Sequence, residues 1–223
     1  MEKNDEAEGT LQRFLNRMTD LLCLNLITLA LCLPVITAGA SLTAMHFVLL
    51  KMVRGQEGYI VPTFMRSFRK NLRQAVIIWT VMLLYGLFAL ANLTGIARGE
   101  VSAPVWLAAL LGISVLTEYL LALYIFPLLS RYENTIAHTL SNALTLVFRK
   151  PLLTIAMAVI TAVPFVLLTR VRAALPPVLL LGLSVPGYAC AALYDPLFKR
   201  IEGTGSGDFP EQADDNGQTP QSG

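Results

Sequence analysis

Glu118 is the side chain whose position most needs a chemical explanation. It falls near the middle of an apolar run that follows Pro104 and extends to about Leu129, and no other acidic residue lies so deep in a predicted span. A charge at that depth costs on the order of 3 kcal/mol or more. Such a carboxyl either handles a proton or a substrate, or it is held neutral or paired and ties helices together. Tyr119 and Tyr124 sit on the same segment and carry hydroxyls able to hydrogen-bond to it. His46, in the short apolar run 38–53, is a candidate basic partner, although a lone histidine in a short helix is more often hydrogen-bonded structure than a ligand or switch.

Other chemistry is sparse. The chain holds no GxxxxGK[ST] phosphate loop, no HExxH, no GxSxG and no cluster of carboxylates. Its 2 histidines lie in different segments, which makes a metal centre hard to assemble. Cys23, Cys32 and Cys190 all fall in apolar stretches without CxxC spacing, so neither a disulfide framework nor a zinc site is expected. No catalytic residue, metal site or cofactor is assigned, and an enzyme is the least supported class.

The elements that must position Glu118 follow from composition. With 55% hydrophobic residues, 14% charged and a mean hydropathy of +0.59, the chain is far less charged than an ordinary soluble domain, at about 25%. The expected fold is all-α, a polytopic membrane bundle of about six transmembrane helices, or five if 38–53 re-enters, with two amphipathic cytoplasmic helices. One membrane-embedded domain covers residues 1–200. Residues 201–223, rich in Gly, Pro, Ser, Gln and acids, read as a disordered cytoplasmic tail. The net charge of +2 and the placement of basic residues beside apolar runs exclude a nucleic-acid role.

Along the chain, the first twenty residues lack a basic region followed by a small-residue cleavage site, so no removable signal is expected. Leu11, Phe14, Leu15 and Met18 suit a surface helix that then turns into a span from Leu21 to Thr37, with Pro34 kinking or ending it. After the turn at Gly55 and Gly58, Phe64, Phe68 and Leu72 recur every fourth residue among Arg66, Arg69, Lys70 and Arg73. That pattern predicts an interfacial helix, apolar side toward the acyl boundary and basic side toward headgroups. Spans follow at 75–96, 104–129, 152–169 and 178–194, the last interrupted by Pro186 and Gly187. Between the second and third of these, Ile136, Leu140, Leu144 and Val147 mark the apolar face of a second surface helix. The similar runs Ser67–Leu72 and Val147–Leu152 each open a span, a weak echo that membrane entry alone explains equally well.

Basic residues set the topology. If 38–53 crosses, 14 of the 17 Lys and Arg fall on one side, leaving Arg98, Arg170 and Arg172 opposite. If it does not, the split falls to 11 against 6. The crossing model is favoured, with both termini cytoplasmic.

Three stretches carry a family resemblance. Leu33-Pro34-Val35-Ile36-Thr37-Ala38-Gly39-Ala40-Ser41-Leu42-Thr43-Ala44 is followed by Lys51-Met52-Val53-Arg54-Gly55-Gln56-Glu57-Gly58-Tyr59-Ile60. Then come Phe64 and Ser67-Phe68-Arg69-Lys70-Asn71-Leu72-Arg73-Gln74-Ala75. Together they look like the YesL-like family of bacterial membrane proteins. Phe126-Pro127-Leu128-Leu129-Ser130-Arg131-Tyr132-Glu133-Asn134-Thr135 resembles that family's second signature, so the likeness covers about residues 11 to 200. The family is one of unknown function. The resemblance implies a bacterial plasma-membrane location and, because the family's genes lie near sugar transporters and two-component regulators, an accessory role in carbohydrate uptake or sensing.

Two functions are therefore expected. In the first, a non-catalytic accessory subunit uses its cytoplasmic connectors and the small residues Gly39, Ala40, Ser41 and Ala44 to dock on a sugar ABC-transporter permease or sensor kinase. Arg54, Glu57, Tyr59, Arg66, Arg69, Arg131, Glu133 and Asn134 are the docking candidates. In the second, a small secondary transporter or channel, sparse unless it forms a homo-oligomer, uses Glu118 at the midplane, with His46 and Tyr119 as further intramembrane polar candidates.

Overall fold

The computed structural model describes residues 2–56, 58–132, 135–171 and 175–203, and the regular structure among them is helical. Helices α1 (Glu2–Cys32), α2 (Ala38–Val53), α3 (Ile60–Ala97), α4 (Val105–Arg131), α5 (Ile136–Arg149), α6 (Pro151–Arg170), α7 (Leu175–Leu181) and α8 (Ser184–Gly203) follow one another, with a 3₁₀ turn at Val35–Thr37. Five segments are long and apolar enough to cross a membrane, and α7 with α8, bent by 47°, makes a sixth broken one. The chain is a multi-pass membrane protein. Residues such as Val81, Leu84, Phe88, Trp106, Ile113, Leu152 and Val159 are 60–84% exposed around the bundle, and these are the side chains a bilayer covers.

The most buried span is the axis. The stretch 35–53 is 61% buried inside the bundle, against 11–22% for the other four single-helix spans. Proline at 34 ends α1 because it cannot donate to the preceding turn. The chain reverses there, held by Thr37 Oγ1 donating to the Leu31 carbonyl at 2.7 Å and Trp79 Nε1 donating to the Val35 carbonyl at 2.6 Å. From that reversal α2 runs antiparallel to α1. Ser41 Oγ donates to the Thr28 carbonyl at one level, and Arg17 Nη1 donates to the Met52 carbonyl at the other. The return therefore covers the height of α1's apolar half, which is the geometry of a span rather than of a loop that turns back halfway.

Small residues let α2 sit this deep. Ala40, Ser41 and Ala44 have no exposed surface, and a Cβ added to Gly39 would lie 2.5 Å from Trp79 Cβ and 2.9 Å from the Ala75 carbonyl oxygen. These positions are buried inside the bundle, Gly39 against α3 and Ser41 against α1, so they are not the partner-docking surface expected from sequence. Gly39→Leu must push α3 away. We expect it to lower stability by about 1–3 kcal/mol, read as a fall in apparent melting temperature in detergent.

Several sequence boundaries move. Helix α1 continues without the expected turn from surface to span, and α8 runs to Gly203, past the boundary drawn at 200. The tail from 204 lies outside the described residues. Helix α3 is a single helix of 38 residues, about 57 Å long, so the basic amphipathic segment is its first third rather than a separate interfacial helix. Phe64 and Phe68 do not face an acyl boundary. They are 0% and 9% exposed and join the core cluster. In α5 the inward face is Thr139, Ala143, Leu146 and Val147, whereas Ile136, Leu140 and Leu144 are exposed. Short Thr139 and Ala143 allow close approach to the bundle, which the larger residues would prevent.

The break between α7 and α8 falls at Gly182–Leu183, one turn before the proline expected to cause it. Proline 186 has no N–H for the carbonyl four residues earlier, so the helix opens at Gly182.

Candidate functional site

Glu118 lies thirteen residues from either end of α4. Helix α4 packs antiparallel on α3, with Trp79 beside Phe126 (centroids 6.1 Å apart) and Gly86 beside Glu118. A Cβ added to Gly86 would lie 3.2 Å from Glu118 Oε2, so the missing side chain makes the recess in which the carboxyl rests. Glu118 is half-buried in this groove, at the edge of the bundle rather than in its interior. Among the described residues it makes no hydrogen bond or ion pair.

The expected companions point elsewhere. Successive residues of a helix diverge by about 100°, and Tyr119 accordingly faces α6. Its hydroxyl donates to the Ala158 carbonyl at 2.9 Å and lies 2.6 Å from Thr161 Oγ1. The Tyr124 hydroxyl bonds Thr154 Oγ1 at 2.9 Å. His46 pairs with Tyr194, Nδ1 to hydroxyl 3.2 Å. Glu118, His46 and Tyr119 are thus three separate places, and neither tyrosine nor His46 partners the carboxyl.

A second polar assembly closes one end of the bundle. Arg54, the C-cap of α2, holds Asp195 of α8, Nε to Oδ1 2.6 Å, and Lys199 reaches Oδ2 of the same carboxylate at 2.8 Å. The Arg54 and Asp195 side chains are only 9% and 6% exposed. Tyr132, Tyr194 and Phe198 pack beside them, ring centroids 5.6 and 4.9 Å apart. Arg17 adds a cation at the end of α2, bonding the Met52 carbonyl and, at 2.8 Å, the Tyr188 hydroxyl, which suits a helix C-terminus.

The docking candidates divide accordingly. Arg131 is buried and the Arg54 side chain is only 9% exposed, so they hold the fold instead of presenting a surface. Tyr59 is 87% exposed, and Arg66 and Arg69 are exposed together with Arg73. Glu57, Glu133 and Asn134 lie outside the described residues. In the register set by Trp79 and Phe126, the basic part of α3 stands beyond the level at which α4 ends.

Two positions that hold the bundle together were not foreseen from the sequence. Asp195 lay just past the expected end of the last span, and its spacing of four from Lys199 was the available signal. Asn25 carried none. Its side chain, 0% exposed, binds the opened backbone between α7 and α8.

Compared with known proteins, residues 21–93 match a protein family of unknown function, DUF624. That stretch is the apolar half of α1, all of α2 and most of α3. No curated protein and no solved structure matches the chain.

Proposed function

We propose that this membrane protein is a non-catalytic accessory subunit of the YesL-like kind, docking by the basic end of α3 on the cytoplasmic side of a bacterial sugar ABC-transporter permease or sensor kinase. The observation that carries the reading is the build of that end. Arg69 and Arg73 are exposed on one side while Phe64 and Phe68 are fixed in the core on the other, so a rigid helix holds the charges beyond α4. Charges presented on a fixed scaffold favour specific recognition over loose headgroup contact. The match to a family of unknown function is compatible with the YesL-like assignment, and the sugar connection rests on the resemblance alone.

The transport alternative has less support. Its key carboxyl lies in a peripheral groove, while the bundle axis is filled by Ala40, Ala44, Met45, Val48 and Leu49, each no more than 3% exposed.

Affinity purification from native membranes in mild detergent tests the proposal. Stoichiometric recovery of a permease or sensor kinase is expected, and Arg69→Glu with Arg73→Glu should abolish it while membrane insertion persists. Recovery of the protein alone, or of an undiminished complex with the double variant, overturns it.

A further inference from the structure

We infer that the α3–α4 groove at Gly86 and Glu118 seats a transmembrane helix of the partner protein, one that brings a lysine or arginine to the Glu118 carboxyl. The inference rests on the accessory-subunit reading and adds a second, intramembrane contact to it.

Depth comes first. Thirteen residues of helix on each side place Glu118 about 20 Å from either end of α4, near the centre of a hydrocarbon core roughly 30 Å thick. Water cannot solvate a carboxylate there, and the three partners expected from sequence are engaged elsewhere: Tyr119 with α6, Tyr124 with Thr154, His46 with Tyr194. Access comes second. Gly86 leaves the carboxyl recessed but reachable from the lipid side, and at the same level Leu84, Tyr85, Phe88, Ile113 and Leu116 remain 41–63% exposed. An acceptor set in an apolar surface fits a single apolar helix with one donor.

Charge decides the occupant. At the level of Glu118 a second copy of this chain offers another carboxyl, because Arg98 and Arg170 stand at helix ends. Complementarity requires a cation, and the groove therefore suits a helix from a different protein.

The test uses the full-length protein in phosphatidylcholine vesicles with single-span polyleucine peptides carrying Lys, Leu or Glu at the centre. Association is read by energy transfer between labels. The Lys-centred peptide is expected to bind about three- to tenfold more tightly than the Leu-centred one. Glu118→Gln should erase that difference, and Glu118→Lys should move the preference to the Glu-centred peptide. Equal binding of the Lys and Leu peptides, or a Lys preference surviving Glu118→Gln, overturns the inference. So does self-association of the protein alone that Glu118→Gln removes, since it gives the groove to a second copy. No native partner is present in these vesicles, so this test and the purification of the native complex fail independently.

Discussion

Asp195→Ala is expected to destabilise the protein by about 3 kcal/mol or more, the effect of breaking a buried ion pair from one side. Arg54 Nε lies 2.6 Å from Asp195 Oδ1, and both side chains are at least nine-tenths covered. Truncating the carboxylate removes the anionic partner of a largely covered guanidinium at the join of α2 and α8, with Tyr194 and Phe198 packed alongside. Lys199 touches the same carboxylate at 2.8 Å but is 59% exposed, so Lys199→Ala should cost about 1 kcal/mol or less. Replacing both buried partners, Arg54→Met with Asp195→Leu, should recover much of the loss because no charge is then left buried. Apparent melting temperature in detergent, followed by circular dichroism, ranks the three variants. A Lys199→Ala effect equal to that of Asp195→Ala would show that the exposed lysine, not Arg54, is the partner that matters.

That ion pair was not readable in the sequence, whereas the spans were. Apolar length and the placement of prolines identified the spans, because both act locally: Pro34 ends α1, Pro151 starts α6, and Gly55 supplies the positive φ of 68° after α2. Glu118 was legible for the same reason, as a charge where the run is otherwise apolar. Its surroundings were not. The 100° between successive helical residues already turns Tyr119 away from Glu118, but which helix it meets depends on where α6 packs, and nothing in residues 105–131 encodes that. The faces of α3 and α5 failed similarly. Periodicity locates an apolar stripe, but Phe64 in the protein core and Leu144 outside it look alike until neighbouring helices are in place. In a membrane protein lipid and protein interior are almost equally apolar, so hydropathy cannot separate them.

Asn25→Leu carries the other large effect. At the break between α7 and α8 the backbone leaves donors and acceptors without helical partners, and in hydrocarbon each unsatisfied group is expensive. Asn25 satisfies three of them from another helix. Its Oδ1 accepts from the Leu183 and Ser184 amides, both at 3.0 Å, and its Nδ2 donates to the Leu179 carbonyl at 2.7 Å. One side chain caps the start of α8 and the end of α7 together, which is what permits a 47° bend beside α1. Leucine keeps the branching of asparagine but carries two bulkier methyl groups, so the loss combines three buried hydrogen bonds with some overpacking, about 3 kcal/mol or more. A double-mutant cycle identifies the cause. Pro186→Ala restores an N–H for the Gly182 carbonyl and lets the two pieces close into one helix. In that background Asn25→Leu should cost markedly less, giving a coupling of about 1 kcal/mol or more. Strict additivity would mean that the break persists without Pro186 and that Asn25 bonds a backbone already shaped by the packing of Gly187 against Met45 and Leu49.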